Sequence, residues 1–174
     1  IDTVSEFLGF DRVVDTYKES LQGHIVQLGA DIKLNGDWVP EIDANGNLTN
    51  KPSAVQTFQP IGDSNWFRGT FDGKGHTISG IYVDRNAGYT ALFGRIEKET
   101  TVKNLVVKNS YIRQSGADNA WIGSIIGFSY GGTVSNVYSN AIVVANGAQM
   151  GGMIGRAEGT VSQCWFDGIM KCTN

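Results

Sequence analysis

The chain has 174 residues, enough for one domain with a hydrophobic core, because a chain of about 150 residues buries roughly 68–70% of its unfolded surface. It contains 23 glycines and 3 prolines, and its charged fraction of 18% is below the roughly 25% typical of globular domains. This composition argues against a helical bundle and against a disordered chain, and it favours short apolar strands joined by many turns.

The net charge of -3 is unevenly distributed. Residues 1–50 hold nine acidic and three basic residues, whereas residues 101–174 hold three acidic and five basic ones. No basic cluster is dense enough to neutralise a run of phosphates, so we predict no nucleic-acid partner. No apolar run approaches the 18 or so residues of a membrane span, so we expect no transmembrane segment. Because the sequence begins at Ile1 without a signal segment, we expect it to be part of a longer protein.

Residues 1–23 predict an amphipathic helix that caps one end of the fold. Thr3 is followed three positions later by Glu6, the spacing of a capping box. Apolar residues then recur at helical spacing, and the segment ends at Gly23. The side chains expected on the apolar face are Phe7, Phe10, Val14, Tyr17 and Leu21.

An excursion over residues 36–57 separates the helix from the more regular part of the chain. It contains the sequence DANGN, whose Asn-Gly pair is a strong hairpin signal. Asp43, Asn45 and Asn47 alternate like the first ligands of an EF-hand loop. However, the glycine stands at the fourth place of that loop and Ala54 at the twelfth. We therefore predict a hairpin turn here, with no metal and no other cofactor.

Three stretches of the second half superpose as repeats. Each contains two apolar residues, a glycine, a polar turn and a Thr-Val pair. The glycines are Gly94, Gly127 and Gly155, so the periods are 127 minus 94, or 33, and 155 minus 127, or 28. The valines that follow keep similar spacing and are Val102, Val134 and Val161.

The repeats predict an all-β solenoid of about four to five coils, a parallel β-helix. A period near 30 with strand-like alternation fits one coil, and no coil can bury its apolar face alone. A weaker copy over residues 76–83 precedes the three, with Ile78 in the place of Val102. The amides that we expect to stack at one corner are those of Asn104, Asn136 and Gln163.

The order of the motifs FQPIG, FRGTFDGKGHTISGIYV, ALFG, SIIG and GMIG is similar to that of exported bacterial proteins with GLUG-type repeats. The chain resembles these proteins from about His24 to its end, including regions that accompany immunoglobulin A peptidases and adhesin-like surface proteins. The resemblance implies a right-handed, single-stranded parallel β-helix over residues 24–174, with residues 1–23 as its helical cap. It further implies a cell-surface or secreted location, further domains in the parent protein and no established catalytic residues in the repeats.

The segment 67–81, FRGTFDGKGHTISGI, is the candidate for chemistry. Asp72 and His76 could form an acid/base pair, since a carboxylate that orients an imidazole is a common catalytic unit. A tight turn in which Asp72 accepts backbone N–H groups explains the same residues, and we favour it. We predict no phosphate loop, because Lys74 is followed by glycine. The side chains expected to point inward are Phe67, Phe71, Ile78 and Ile81.

A carbohydrate-active β-helix enzyme, either a polysaccharide lyase or a glycoside hydrolase, is the alternative function, as is the glycan-binding module of such an enzyme. Hydrolysis needs two carboxylates roughly 5–9.5 Å apart. Asp118, Glu158 and Asp167 occupy different positions in their repeats, so we predict no catalytic residues. Cys164 and Cys172 could pair across neighbouring strands, but we favour two small buried hydrophobic residues.

Four aromatic residues near turns are the candidate binding residues: Trp66, Tyr89, Trp121 and Tyr130. Such rings can stack on a sugar or on a partner protein, although we favour a structural role in covering the edge of the coil. Together with the surface or secreted location that the resemblance implies, these residues predict a non-catalytic domain that serves adhesion, ligand display or spacing. Its expected partners are glycans or proteins of a host or of bacteria.

Overall fold

A computed structural model of the chain describes residues 1–86, 88–116, 120–146 and 149–173. These residues include one helix, α1, over Val4–Asp15. No helix among the described residues is long and apolar enough to cross a membrane. The strands are β1 Ile25–Gln27, β2 Ile32–Lys33, β3 Thr70–Asp72, β4 Thr77–Ser79, β5 Tyr82–Arg85, β6 Tyr89–Thr90, β7 Phe93–Lys108, β8 Tyr111–Gln114, β9 Trp121–Ile122, β10 Ile126–Ser139, β11 Ile142–Ala145, β12 Gln149–Met150, β13 Ile154–Ala157, β14 Thr160–Phe166 and β15 Ile169–Cys172.

The strands wind into a solenoid with three sheets. One sheet follows the path β1-β3-β7-β10-β13, with β2, β4 and β14 joined to it, and the others run β5-β8-β11-β15 and β6-β9-β12. All pairings between these strands are parallel. Coils that reach all three sheets are β6–β8, β9–β11 and β12–β15, whereas β1–β5 form incomplete coils. The parallel β-helix with an N-terminal helix is thus confirmed, with three complete coils instead of the four to five expected.

Equivalent residues of successive coils lie directly above one another. Val102 pairs with Val134, and Val134 pairs with Val161, so the superposition of the three repeats read from the sequence is confirmed. Parallel pairing brings the side chains of each column into contact, and the columns together form the core. The four side chains expected inside the first coils, Phe67, Phe71, Ile78 and Ile81, are all fully buried.

Helix α1 covers the N-terminal end of the solenoid. The capping box is present, since Glu6 N–H donates to Thr3 Oγ1 at 3.2 Å and Thr3 N–H donates to Glu6 Oε2 at 3.2 Å. The buried residues of the helix are Phe7, Phe10 and Val14, and the Phe10 ring stacks on Phe71 with centroids 5.7 Å apart.

The helix ends earlier than the sequence suggests. It ends at Asp15, not near Gly23, and Tyr17 is 70% exposed, so placing Tyr17 on the apolar face was wrong. Lys18 and Leu21 both have positive φ, which turns the chain away from the helix axis. The hydrophobic periodicity therefore continues past the point where the backbone leaves the helix.

Hydrogen bonds to the carboxylate of Asp15 connect the C-terminal end of the helix to the first coil. It accepts hydrogen bonds from the backbone N–H groups of Gly62 at 2.7 Å, Ser64 at 2.6 Å and Asn65 at 3.1 Å. Bonds from several backbone N–H groups to an ionised carboxylate are stronger than bonds between neutral groups. Asp15 therefore fixes the angle at which α1 meets the solenoid.

The opposite end of the solenoid is exposed. Val134 and Val143 are 2% and 0% exposed, while Val161 and Met170, their counterparts in the last coil, are 47% and 45% exposed. Within the described residues, the strands of the last coil pair on one side only. In the part of the chain that the structure describes, α1 therefore covers the core at one end, and side chains of the last coil are exposed at the other.

A third carboxyl group, that of Asp11, lies close to Asp15 and Asp63 where the helix meets the first coil. Burial, followed by the negative charge of Asp15, raises the pKa of Asp11 to about 6. A raised pKa means that the folded state favours the protonated acid. Ionisation of Asp11 therefore lowers stability as the pH rises from about 4, near the pKa of a free aspartate, to about 6.

We expect Asp11→Asn to stabilise the fold at pH 7.5 by about 1 to 2 kcal/mol, after allowance for solvent screening, and to have little effect at pH 3.5. Thermal or urea unfolding of both proteins across this pH range measures the difference. Asp167→Asn, at an exposed carboxyl in the last coil, is the control and should show no such trend. An equal effect of Asp11→Asn at both pH values would contradict the assigned pKa.

Candidate functional site

The candidate acid/base pair does not form. Asp72 Oδ1 accepts the backbone N–H of Lys74 at 2.9 Å, the hydrogen bond expected of the predicted turn. His76 Nδ1 instead lies 3.3 Å from Asp31 Oδ1, and that carboxylate also accepts the N–H of Thr77 at 2.8 Å. The hydrogen bond from Thr77 is the main reason that the pKa of Asp31 is lowered. Both carboxylates thus stabilise backbone turns.

Asp72 also begins a chain of amide hydrogen bonds along one corner of the solenoid. Asn104 Nδ2 donates to Asp72 Oδ1 at 2.9 Å, and Asn136 Nδ2 donates to Asn104 Oδ1 at 2.9 Å. Burial opposes ionisation of Asp72, but the bonds from Asn104 and from the Lys74 N–H lower its pKa on balance. The predicted ladder between Asn104 and Asn136 is therefore present, and it starts from a carboxylate.

The backbone explains why this corner carries amides. Asn104, Asn136 and Gln163 have φ values of 52°, 53° and 53°, in the left-handed region that asparagine tolerates better than most residues. Three successive coils therefore turn at the same place with the same conformation.

The alignment of the weaker repeat over residues 76–83 was wrong. Phe71 pairs with Val102 and Ile78 with Val107, so Ile78 does not take the place of Val102. Phe71 and Ile78 are 78 minus 71, or 7, positions apart in the chain. Their partners in the next coil, Val102 and Val107, are 107 minus 102, or 5, positions apart. The DGKGH corner is thus two residues longer than the asparagine corner that follows it.

The DANGN segment forms the predicted turn. Asp43 Oδ1 accepts the N–H groups of Asn45 at 2.8 Å and Asn47 at 2.9 Å, and Ile42 forms an antiparallel bridge with Leu48. These bonds engage the Asp43 carboxylate and lower its pKa, the N–H of Asn47 contributing most. Across the described residues, no group of three or more His, Cys, Asp or Glu side chains is placed to hold a metal ion.

The remaining candidates for chemistry are separate. Glu158 accepts a hydrogen bond from Arg156 at 2.6 Å, Asp167 is exposed, and Asp118 lies outside the described residues. No disulfide joins the two cysteines. Cys164 packs partly buried against the core, but Cys172 is exposed, so placing it in the interior was wrong.

The four aromatic candidates come together in one cluster on the outside of the solenoid. Tyr89 stacks on Trp121, with ring centroids 5.3 Å apart and an angle of 10° between the planes. Trp66 and Tyr130 meet edge to face at 6.0 Å. Phe128 joins the two pairs, because its ring lies within 6.3 Å of all four.

Two arginines complete this surface, which we call the aromatic–arginine cluster: Trp66, Tyr89, Trp121, Phe128, Tyr130, Arg95 and Arg156. The Arg95 guanidinium lies 5.0 Å from the ring centroids of both Trp66 and Tyr89, within the range of a cation–π contact. Arg156 lies 5.3 Å from the Phe128 ring. A hydrogen bond from Arg95 Nη2 to the Asp63 carbonyl, at 2.6 Å, also holds the guanidinium in position.

The cluster follows the register of the sheets. Arg95, Phe128 and Arg156 pair in successive strands, so Phe128 stands between the two arginines in the register of the sheet. The sequence carried this signal, because the three residues immediately follow the repeat glycines at 94, 127 and 155. Sequence reasoning nevertheless missed all three, since it considered the aromatic residues near turns one by one.

The geometry limits what the cluster can bind. Most ring faces are covered by a neighbouring ring or guanidinium, and this supports the structural role that we favoured. The Tyr130 side chain is the exception, since the residue is 48% exposed. A ligand on this surface would therefore contact the Tyr130 ring, the edges of the other rings and the hydrogen-bond donors of Arg156.

No protein-family profile matches the chain, so the GLUG-type assignment stays a prediction. Halomucin of Haloquadratum walsbyi is 32% identical over 123 residues, which are 68% of this chain and 1% of halomucin. A protein of Evansella cellulosilytica, provisionally named a Gly-rich membrane protein, is 39% identical over 82 residues, which are 46% of this chain and 9% of that protein. The chain thus spans only a small fraction of the curated relatives it matches.

A crystal structure of a Bacteroides ovatus protein, proposed to be an immunoglobulin A1 protease, is similar in fold. The structural match covers 97% of this chain and 56% of the Bacteroides ovatus chain, with a TM-score of 0.51 and 21% sequence identity. At this identity the likeness concerns the fold alone. It agrees with the predicted resemblance to β-helices of the immunoglobulin A peptidase group at that level.

We expect Asn136→Ala to lower the free energy of unfolding by about 2 kcal/mol, because it removes a ladder hydrogen bond and places alanine at positive φ. Asn136→Gly removes the same bond without the conformational cost and should lose about 1 kcal/mol. Urea unfolding measures both. Equal losses for the two variants would show that the backbone conformation at this corner carries no cost.

Gln163 adopts the same left-handed conformation as Asn136, although asparagine tolerates this conformation better than glutamine. We expect Gln163→Asn to raise the free energy of unfolding by about 0.5 to 1 kcal/mol, because asparagine tolerates this region better. The neighbouring Ser162→Asn is the matched control and should give no gain. A melting temperature of Gln163→Asn at or below that of the unchanged protein would contradict the prediction.

Proposed function

We propose that the chain is a non-catalytic module of a surface or secreted protein, which spaces its neighbours and adheres to a glycan or protein through the aromatic–arginine cluster. The names of two relatives, halomucin and a Gly-rich membrane protein, support a surface-type role. The small share of those proteins that the chain matches supports a role as one module among several.

The observation that carries the adhesive part is the convergence of five aromatic side chains and two arginines on one outer face. Aromatic and arginine side chains are enriched at protein interfaces, where ring edges and guanidinium donors contact partners with little loss of side-chain entropy. The stacking within the cluster holds these groups in place before a partner arrives. Pre-organisation of this kind lowers the entropic cost of binding.

The spacing part rests on the solenoid itself. Successive coils are separated by the hydrogen-bonding distance of β-strands, about 4.8 Å, so the module has a fixed length per coil. Each complete coil reaches three sheets, and the core runs through all of them. A rod of this kind holds its two ends at a fixed separation.

The proposed contact surface can be tested at Tyr130, the most exposed ring of the cluster. On arrays of glycans and of extracellular proteins, we expect Tyr130→Ala to weaken any bound partner about tenfold, the loss typical of an interface anchor. Its melting temperature should change little, because the side chain is half exposed. Tyr138→Ala, on the same strand but outside the cluster, is the control and should bind normally.

The possible results separate the two parts of the proposal. Binding that Tyr130→Ala weakens and Tyr138→Ala leaves unchanged supports adhesion through the cluster. Absence of any binding by the unchanged protein would overturn the adhesive part and leave the spacing part. Equal binding by all three proteins would place the contact surface elsewhere.

A further inference from the structure

A cavity of about 480 Å³ lies between the DANGN turn and the sheet formed by β5, β8, β11 and β15, on a surface separate from the aromatic–arginine cluster. This volume is within the range of about 300–1,000 Å³ that is usual for small-molecule sites. Among the described residues that line it, none carries a carboxylate. The polar side chains around it are those of Asn45, Asn47, Arg113, Asn146, Lys171 and Thr173.

The two cations of the cavity have unused hydrogen-bonding capacity. Arg113 Nη1 lies 4.0 Å from Asp84 Oδ2, too far for a hydrogen bond, although the carboxylate offsets part of the arginine charge. Within the described part of the chain, no carboxylate lies within 4.0 Å of Lys171 Nζ. The cavity therefore combines two positive groups with little acidic compensation.

Two other partly buried arginines of this protein have acceptors at closer range, although Arg85 Nη1 has no hydrogen-bond partner among the described residues. Arg85 Nη2 binds the Asp63 carboxylate at 2.9 Å, and Arg95 Nη2 binds the Asp63 carbonyl at 2.6 Å. The side chain of Arg113 is about as covered as that of Arg85, with exposures of 30% and 24%. Among the described residues, Arg113 has no carboxylate or carbonyl acceptor at such a distance, although it interacts with the Tyr111 hydroxyl, so its guanidinium retains donors for an external anion.

The wall of the cavity opposite the sheet is held in place. Tyr111 Oη donates to the carbonyl of Gly46 at 2.8 Å, and burial raises the pKa of Tyr111 to about 12, so the phenol keeps its proton. Gly46 has a φ of 82°, and an added Cβ there would lie 3.0 Å from Val144 Cγ1. The turn is therefore packed closely on the sheet, and Asn45 and Asn47 stand at fixed positions beside the cations.

We propose that this cavity binds a carboxylate-bearing sugar, such as one residue of an acidic glycan. The guanidinium of Arg113 can donate two parallel hydrogen bonds to the carboxylate, and Lys171 adds a positive charge. The amides of Asn45, Asn47 and Asn146 offer both donors and acceptors, which is what sugar hydroxyl groups require. A neutral sugar would leave Lys171 without a counter-ion from the ligand and Arg113 with only the distant Asp84 carboxylate, so the site distinguishes the two classes by charge.

This inference deepens the proposed adhesive role, because it names a ligand class, but it assigns that ligand to a different surface. The two can therefore fail separately. Loss of array binding in Tyr130→Ala concerns the aromatic–arginine cluster, whereas the cavity is tested with monosaccharides that need not touch that cluster.

The test is titration of the protein with glucuronate and galacturonate, followed by NMR chemical shifts or calorimetry, with glucose, galactose and acetate as comparison ligands. We expect both uronates to bind in the millimolar range, and glucose, galactose and acetate to bind at least about tenfold more weakly. Arg113→Gln should weaken uronate binding about tenfold or more, and Lys171→Gln should weaken it by a smaller factor. Lys98→Gln, at an exposed lysine away from the cavity, is the charge-matched control and should bind normally.

Three outcomes would overturn the inference: no detectable uronate binding, acetate binding as tight as that of the uronates, or equal weakening by Lys98→Gln and Arg113→Gln. Acetate binding of this kind would indicate a simple anion site without sugar recognition. Circular dichroism and thermal unfolding establish that each variant is folded. If Arg113→Gln fails to fold, Lys171→Gln and Asn146→Ala, both at partly or fully exposed positions, provide the same comparison.

Discussion

The parallel hydrogen bonding between successive coils is the constraint on which the rest of this structure depends. It places each residue directly above its counterpart in the previous coil, so a choice of side chain at one position is repeated along a column. Val102, Val134 and Val161 form such a column inside, and Arg95, Phe128 and Arg156 form one outside. The core, the amide ladder and the aromatic–arginine cluster are all consequences of this register.

Features that repeat along the chain could be predicted from the sequence. The repeats gave the fold class and the pairing of the valines, and the four apolar residues expected to point inward in the FRGTFDGKGHTISGI segment are buried. The capping box was equally accessible, because Thr3 and Glu6 interact within one helical turn. In each case the deciding interaction is either local or set by the period, so no knowledge of the distant chain was needed.

Features that depend on how one coil closes on the next could not be predicted in this way. The alignment of Ile78 failed because two additional residues in the corner shift the register, and only the pairing with Val107 reveals the shift. The position of Cys172 in the open last coil was likewise invisible to hydrophobicity alone. The cavity beside Arg113 depends on the packing of the DANGN turn against a sheet that lies far away in sequence. Cavities formed between distant segments are the hardest features to read from a single chain.

The amide ladder also has a direction. Each asparagine donates toward the N-terminal side, from Asn136 to Asn104 and from Asn104 to Asp72, where a carboxylate accepts and cannot pass the bond on. A duplicated coil inserted after Asp72 would continue the ladder, whereas one inserted before it would meet an acceptor where a donor is needed. In evolution, this corner therefore permits the number of coils to change on one side of Asp72 and opposes such change on the other.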